Sequence, residues 1–238
     1  MKKIVILTTD TPHHRFYINY IIDKGFDISA IIFETNHLKP KFKTGPVFEN
    51  LELEYEESNF FQGTSRVISL KAQHYHNSVN DESVIDLLKK IKPDFGLIFG
   101  TGLVKPKTLK FFAGNIINVH RGIPQSYRGL DSDLWAIYHS DWDKIGCTIH
   151  RADIQLDTGD IFLQKILKLK KNMKIHQIRF YTTIMAAELS VKALKDFLSG
   201  SLAFHKQEVK GRYYSYMPYD LKVQMEEKFN IFCKKLHE

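Results

Sequence analysis

The sequence predicts an α/β protein built on an open, mostly parallel, twisted sheet flanked by helices. Three observations lead to this fold class. Continuous apolar runs, typical of strands buried on both faces, occur at residues 3–8, 27–33 and 94–99. Segments with helical spacing of apolar residues separate them, as parallel connections require. With 238 residues, of which 43% are hydrophobic, the chain is large enough to bury one substantial core.

The first half of the chain is predicted to alternate strands with helices. A loop at residues 8–12 follows the first strand and leads into a helix that stops at Gly25. Residues 34–62 are rich in charged side chains, and we expect them to form a solvated surface excursion. The elements that follow are expected to be a strand at 67–70, an amphipathic helix at 81–91, a strand at 94–99 and a short helix at 105–112.

The second half is predicted to complete the sheet and to cover one of its faces. A long helical pattern at residues 174–198 ends at Gly200 and should pack on the sheet. We divide the chain into a main domain at 1–200 and a short C-terminal appendage at 201–238, a hairpin or dimer surface followed by a final helix. The elements between are a strand at 115–119, a helix at 131–140, a strand at 145–150 and an edge strand at 161–169.

Composition argues against several classes of protein. No apolar run reaches the ~20 residues of a membrane-spanning helix and no signal-peptide pattern is present, so we expect a cytoplasmic protein without a membrane partner. Cys147 and Cys233 are too few for a disulfide framework or a usual zinc site and should be free thiols. His74 and His76 lack a third ligand at plausible spacing, so no metal is predicted. The first loop lacks Gly-x-Gly-x-x-Gly, which argues against a nicotinamide-binding domain.

Asn118, His120 and Asp157 are the strongest candidates for catalysis. Asn118 and His120 fall at the end of a strand, where side chains two residues apart point to the same face. Asp157 lies in a turn-forming Asp-Thr-Gly-Asp stretch. An amide donor beside an imidazole, with a carboxylate to orient it, suits attack of a nucleophile on a carbonyl carbon. Each motif alone is weak, because such residues also serve as strand-end and turn hydrogen bonders.

The order of motifs along the chain resembles one known family. The motifs are Asn118-x-His120, Pro124-x-x-Tyr127-Arg128-Gly129, the helix Leu134-Trp135-Ala136-Ile137, Gly146-Cys-Thr-Ile-His, and Leu156-Asp157-Thr-Gly-Asp160-Ile161. Together they resemble the formyltransferases that use 10-formyltetrahydrofolate, over about residues 1–200. Members of that family include glycinamide ribonucleotide transformylase, methionyl-tRNA formyltransferase and the N-formyltransferases of nucleotide-linked amino sugars.

The resemblance implies a Rossmann-like enzyme with N10-formyltetrahydrofolate as its cofactor and Asn118, His120 and Asp157 as catalytic residues. It implies that the folate pterin lies between two loops. The first loop comprises Thr101, Gly102, Leu103 and Val104, and the second comprises Ala152, Asp153, Ile154 and Gln155. Residues that we expect to contact the other substrate, at the same edge of the sheet, are Thr9, Asp10, His74, Tyr127 and Arg128.

The identity of the amine acceptor is left more open. Residues 201–238 are too few for the β-barrel that the resemblance implies for methionyl-tRNA formyltransferase, and the first loop lacks the Gly-Asn-Gly type signature of the ribonucleotide enzyme. The net charge of +7 favours an anionic ligand. We therefore expect the acceptor to be a nucleotide-linked amino sugar of the dTDP or UDP type, as in lipopolysaccharide biosynthesis. We expect no nucleic-acid partner. We also expect a homodimer that uses the aromatic tail at 205–219. The alternatives are the other two enzymes or a non-catalytic folate- or RNA-binding module.

Overall fold

The computed structural model describes residues 2–36, 39–61 and 72–237. Its strands are β1 (Ile4–Thr8), β2 (Ile28–Glu34), β3 (Gln73–His76), β4 (Phe95–Phe99), β5 (Ile116–His120), β6 (Tyr127–Gly129), β7 (Gly146–Arg151), β8 (Ile161–Ile166) and β9 (Arg212–Tyr214). Its α-helices are α1 (Pro12–Asp23), α2 (Glu49–Phe60), α3 (Glu82–Ile91), α4 (Pro106–Leu109), α5 (Ser132–Tyr138), α6 (Ile178–Ser199) and α7 (Tyr219–Lys235). Short 3₁₀ turns lie at Lys110–Phe112, Trp142–Lys144 and Ile175–Gln177.

The main sheet has the strand order β3-β2-β1-β4-β5-β7-β8 within the described residues. The first five strands in this order are parallel, whereas β7 and β8 are antiparallel to their neighbours. Helices α1 and α6 pack together over one face, and α3 and α4 contribute to the core on the other. This arrangement confirms the predicted fold class, and its buried central strands explain the continuous apolar runs.

The edge of the sheet beyond β2 differs from the prediction. The expected strand at 67–70 lies outside the described residues. The strand that pairs with β2 is β3, in register Ile32 to His74. His74 is therefore in an edge strand, not in a loop that faces a ligand.

The C-terminal segment is folded onto the rest of the chain. The short strand β9 pairs in parallel with β6, so of the two alternatives for the tail the hairpin is not formed in the described residues, and the dimer surface stays a prediction. The expected last helix is present as α7, which packs against α5 and buries Met225, Phe229 and Cys233 in the main core. Cys147 is also buried, and both cysteines are free thiols as predicted. None of the helices in the described ranges combines the length and the hydrophobicity that a bilayer crossing needs.

The charged stretch 34–62 is not uniformly solvated, and our expectation for it was wrong at three charged residues, Glu34, Glu52 and Glu56. Glu52 and Glu56 of α2 face α6 and are buried. Arg179 donates to Glu56 in a bidentate pair at 2.6 and 2.9 Å, and its third nitrogen lies 2.6 Å from Glu52. Burial raises the pKa of Glu52 to about 7 even though Arg179 opposes this shift. The network ties α2 to α6.

Replacing Arg179 with leucine should destabilise the fold strongly, because two carboxylates would stay buried without a cation. We expect the free energy of unfolding to fall by roughly 3–5 kcal/mol, the usual effect of breaking a buried ion pair. Urea denaturation followed by circular dichroism measures it. Lys192→Met is the matched control on the same helix, since its pair with Asp196 is solvent-exposed and should contribute only about 0.3–0.5 kcal/mol. Equal losses in the two variants would contradict the assigned role.

Candidate active site

A pocket of about 290 Å³ opens at the carboxyl ends of β4 and β5. In an open parallel sheet this edge is where ligands bind, because the loops that leave neighbouring strands diverge there. Its lining consists of residues 98–104, 118–121, 129–133, 150, 152, 153, 155–157 and 216. The pocket therefore gathers residues that are far apart in the sequence but end on one side of the sheet.

Asp157 is the centre of the polar group inside this pocket. Its Oδ2 accepts a hydrogen bond from the main-chain N–H of Gly129 at 2.7 Å and lies 3.3 Å from Nδ1 of His120. Its Oδ1 lies 3.4 Å from both Nδ2 of Asn118 and Nε2 of His150. Asp157 has a φ of +54°, a left-handed backbone conformation that aspartate tolerates better than most residues. The turn predicted from the sequence thus aims the carboxylate inward.

The carboxyl of Asp157 is held in its ionised form. Burial by itself would raise its pKa, but the charges of His120 and His150 and the hydrogen bond from Gly129 N–H outweigh burial and hold the pKa well below its usual range. His120 faces an acceptor at each ring nitrogen: Nε2 lies 2.9 Å from the carbonyl oxygen of Tyr127, and Nδ1 faces Asp157. Both acceptors receive a hydrogen bond only when both ring nitrogens carry a proton.

Asn118 is half-buried and presents its amide to the pocket. Nδ2 lies 3.1 Å from Nε2 of His150, whose Nδ1 lies 2.8 Å from the carbonyl oxygen of Arg151. His150 can carry its proton on either ring nitrogen. When the proton is on Nδ1, Nε2 accepts a hydrogen bond from Asn118; when the proton is on Nε2, Nε2 donates to Asp157. His150 ends the Gly146-Cys-Thr-Ile-His motif, but the sequence analysis assigned it no role in the site. Its register opposite Asn118 on the antiparallel neighbour β7 explains its position.

Position 129, where β6, β9 and Asp157 lie together, requires glycine because a side chain would not fit there. It has a φ of +93°, and a Cβ built on it would lie 2.2 Å from the main-chain oxygen of Tyr214. Its N–H is also the donor to Asp157. A side chain here would therefore strain the backbone and push β6 from β9.

Gly129→Ala should destabilise the protein more than an alanine at another left-handed glycine. Strain of this kind contributes roughly 1–3 kcal/mol, and the clash with Tyr214 adds to it. Gly25→Ala is the control: Gly25 has a φ of +86°, but a Cβ there would meet open space, so about 1 kcal/mol is expected. Thermal unfolding of the two variants side by side provides the comparison. A smaller loss for Gly129→Ala than for Gly25→Ala would overturn the argument.

Comparison with known proteins identifies the family. The family model described as Formyl transferase matches residues 18–193. The chain belongs to the formyltransferase family. A methionyl-tRNA formyltransferase from Finegoldia magna is 33% identical over 121 residues, 50% of this chain and 39% of the relative. One from Syntrophus aciditrophicus is 25% identical over 203 residues, 82% of this chain and 59% of the relative. The chain thus spans about two fifths to three fifths of the length of these two family members.

Solved structures of family members share the fold at low sequence identity. An N-formyltransferase from Helicobacter canadensis, solved with folinic acid and dTDP-3-aminofucose, superposes with a TM-score of 0.64 at 16% identity, covering 98% of this chain and 81% of its own. A glycinamide ribonucleotide transformylase from Symbiobacterium toebii gives 0.63 at 15% identity, with 88% and 93% covered. At these identities the likeness establishes the architecture and leaves the acceptor open.

The two loops predicted from the family resemblance to hold the folate both border the pocket. Thr101, Gly102, Leu103 and Val104 all line it. From the second loop, Ala152, Asp153 and Gln155 line it, whereas the side chain of Ile154 is 59% exposed and Ile154 is not part of the lining. Their contacts with folate stay predictions, but seven of the eight residues lie together as expected.

The residues predicted to contact the second substrate lie outside the pocket lining. Thr9 is buried against His14, and Asp10 is engaged by Arg15, with N–O distances of 2.5 and 2.6 Å. Tyr127 donates its hydroxyl hydrogen to Asp141, away from the pocket. Arg128 donates to the carbonyl oxygens of Gly211 and Leu156, and His74 lies on the far edge strand. In this structure Tyr127 and Arg128 thus contact other parts of the chain, and their contact with the second substrate stays a prediction.

The polar end of the pocket contains residues that the sequence did not single out. Arg121 follows His120, and its nearest charged partner is Asp133, at 3.7 Å. Asp131 and Tyr216 complete this end of the pocket. The only sequence signal for Arg121 was its position directly after the Asn-x-His motif. Asp131 and Asp133 resembled ordinary helix-capping residues.

Proposed function

We propose that the protein is an N-formyltransferase that moves the formyl group of N10-formyltetrahydrofolate to the primary amine of a nucleotide-linked amino sugar. The observation that carries the reaction class is the convergence of Asn118, His120, His150 and Asp157 in one pocket, between the two loops expected to hold the folate. Family membership supports the same chemistry. The mechanism follows from what these side chains can donate and accept.

Asn118 suits stabilisation of the oxyanion. When the amine nitrogen bonds to the formyl carbon, the carbonyl π bond opens and negative charge collects on oxygen. The amide nitrogen of Asn118 carries two hydrogens, and one of them faces Asp157. When Nε2 of His150 carries a proton it no longer accepts from Asn118, and the second hydrogen is then available to the oxyanion. Such a donor contributes on the order of 10²–10³ in rate.

Asp157 and His150 suit the proton transfers. Attack leaves a positively charged nitrogen in the tetrahedral intermediate, and its proton passes to Nε2 of His150 or to the Asp157 carboxylate 3.4 Å away. The same proton then moves to N10 of the folate as the carbon–N10 bond breaks, which releases tetrahydrofolate and the formamide. His120, with both nitrogens turned to acceptors, acts here by holding Asp157 and by adding positive charge to the site.

An amino sugar on a nucleotide fits the polar end of the pocket. Arg121 offers a fork of donors, Asp133 offers acceptors, and Tyr216 offers an aromatic face, a combination that suits a polyhydroxylated ring. Related proteins have been solved with such ligands: dTDP-3-aminofucose in the protein from Helicobacter canadensis and a UDP-linked formamido sugar in PseJ from Anoxybacillus kamchatkensis. We also propose that the protein is a soluble, cytoplasmic homodimer.

The second candidate for the acceptor is an initiator tRNA that carries methionine, and one observation favours it. Relatives at about 30% identity include methionyl-tRNA formyltransferases from Finegoldia magna and Clostridium botulinum. A tRNA acceptor predicts binding that weakens steeply with salt, because phosphate contacts release counterions. A single nucleotide sugar predicts a much weaker dependence.

The deciding experiment is mass spectrometry of a panel of dTDP- and UDP-linked amino sugars after incubation with the protein and 10-formyltetrahydrofolate. We expect one sugar to gain a formyl group in place of a hydrogen, and Asp157→Asn to abolish the gain. Glycinamide ribonucleotide and methionyl-tRNA belong in the same panel. A product from either of these alone would replace the sugar assignment, and binding of folate without any product would support a non-catalytic module.

A further inference from the structure

Glu34 holds the first folate loop from behind. It is the last residue of β2 and is 6% exposed. Its Oε2 accepts a hydrogen bond from the N–H of Gly102 at 2.6 Å, and its Oε1 accepts one from the N–H of Val79 at 3.2 Å. The carboxylate thus bridges the loop after β4 and the segment before α3, two parts of the chain that no strand pairing joins.

Glu34 is an unusual way to fix a loop. Among the described residues Glu34 has no ion-pair partner, and its polar contacts are two main-chain N–H groups. A buried carboxylate without a cation is costly compared with an apolar residue, unless several donors are aimed at it. A neutral side chain would be enough to link the two segments. A carboxylate that accepts from both N–H groups also fixes where the loop lies, and we take this to be its role.

Asn80 fixes the same loop from the other side. Its Nδ2 donates to the carbonyl oxygen of Leu103 at 2.9 Å, and its Oδ1 accepts from the N–H of Lys105 at 2.7 Å. We call Glu34 and Asn80 the loop clamp. Together they engage main-chain groups of the loop at three positions, namely 102, 103 and 105.

The clamp leaves a defined set of main-chain groups for a ligand. In the ranges that the structure describes, the N–H groups of Leu103 and Val104 and the carbonyl of Val104 make no main-chain or side-chain hydrogen bond. Both residues line the pocket. Main-chain donors and acceptors fixed in alternation match the edge of a flat heteroaromatic ring that itself alternates acceptors and donors.

We propose that Glu34 and Asn80 are positioning residues that set the affinity for the formyl donor by fixing the main chain of the loop against the heteroaromatic ring of the folate. The inference rests on the proposed function for the identity of that ring. Neither side chain touches the group around Asp157. Loss of the clamp therefore loosens donor binding and leaves the chemical step intact at saturating donor.

The test measures donor binding separately from turnover. Isothermal titration with folinic acid gives Kd, and steady-state kinetics with 10-formyltetrahydrofolate give KM and kcat. In Glu34→Gln the new amide nitrogen would face one of the two N–H groups, and in Asn80→Ala both loop contacts are lost. We expect Kd and donor KM to rise roughly 10- to 100-fold, with kcat within about threefold of wild type. Asn77→Ala, an exposed neighbour that contacts Thr35, is the control and should change neither value.

The outcomes separate the two proposals. If the unmodified protein does not bind folinic acid, the proposed function fails. If it binds folinic acid and the Kd of both variants lies within about twofold of its Kd, the positioning role of Glu34 and Asn80 is refuted and the proposed function stands. A parallel fall of kcat and thermal stability without a change in donor KM also refutes the clamp, because it marks a purely structural role.

Discussion

Asp157→Asn should lower kcat for formyl transfer by about 10²–10⁴, the usual effect of removing a group from a proton-transfer system. The amide keeps the size of the side chain and an oxygen that can accept from Gly129 N–H, so the turn should persist. It removes the charge that faces His120 and His150. Single-turnover formylation of the acceptor, monitored by mass spectrometry, measures the loss of the chemical step.

Asp160→Asn is the matched control, because it makes the same change three residues later at an exposed position. It should retain activity within about twofold, as expected for a surface substitution away from the site. Comparable losses in the two variants would mean that loop structure, and not the Asp157 carboxylate, limits turnover.

The pKa of Asp157 adds a pH signature to this prediction. Since its folded-state pKa lies below the unfolded value, its contribution to stability is present above the unfolded pKa and is lost as the pH falls through the folded pKa. The difference in unfolding free energy between wild type and Asp157→Asn should therefore shrink as the pH is lowered below about 4. Between about pH 5 and 9 the carboxylate stays ionised, so the loss of activity should not depend on Asp157 titration.

The sequence predicted the parts of the site that strand periodicity and turn chemistry determine. Two of these features are local: the i, i+2 spacing of Asn118 and His120 on a strand, and the Asp-Thr-Gly-Asp turn. Both are present in the structure, where Asp157 lies beside Asn118 and His120. The apolar runs predicted buried strands for a similar reason, since a strand covered on both faces has no polar alternation.

Other features depend on contacts between distant segments and have no local signal. Glu56 is buried because Arg179, 123 residues away, reaches it from another helix. Arg121 and Asp133 face the pocket because β5 and α5 meet there, which no periodicity indicates. Charged side chains are therefore the least predictable class here, since their burial is decided by partners elsewhere in the chain.

His120→Ala should also reduce kcat by about 10²–10⁴, because it removes the ring that lies between Asp157 and the carbonyl of Tyr127. His205→Ala is the control, as His205 is exposed and its described contact with Ile161 is through the main chain. Thermal unfolding and folinic acid titration of both variants would show whether fold and donor binding persist. Activity near the wild-type level in His120→Ala would remove His120 from the mechanism.

Combining His120→Ala with Asp157→Asn distinguishes two roles for the imidazole. If His120 works through Asp157, as their 3.3 Å separation indicates, the double variant should be at most about tenfold slower than Asp157→Asn alone. If His120 instead acts directly on the formyl oxygen, the two losses should multiply. The geometry favours the first result, because both ring nitrogens already face protein acceptors and neither points freely into the pocket. Multiplied losses would mean that the ring turns toward the formyl group when the donor binds.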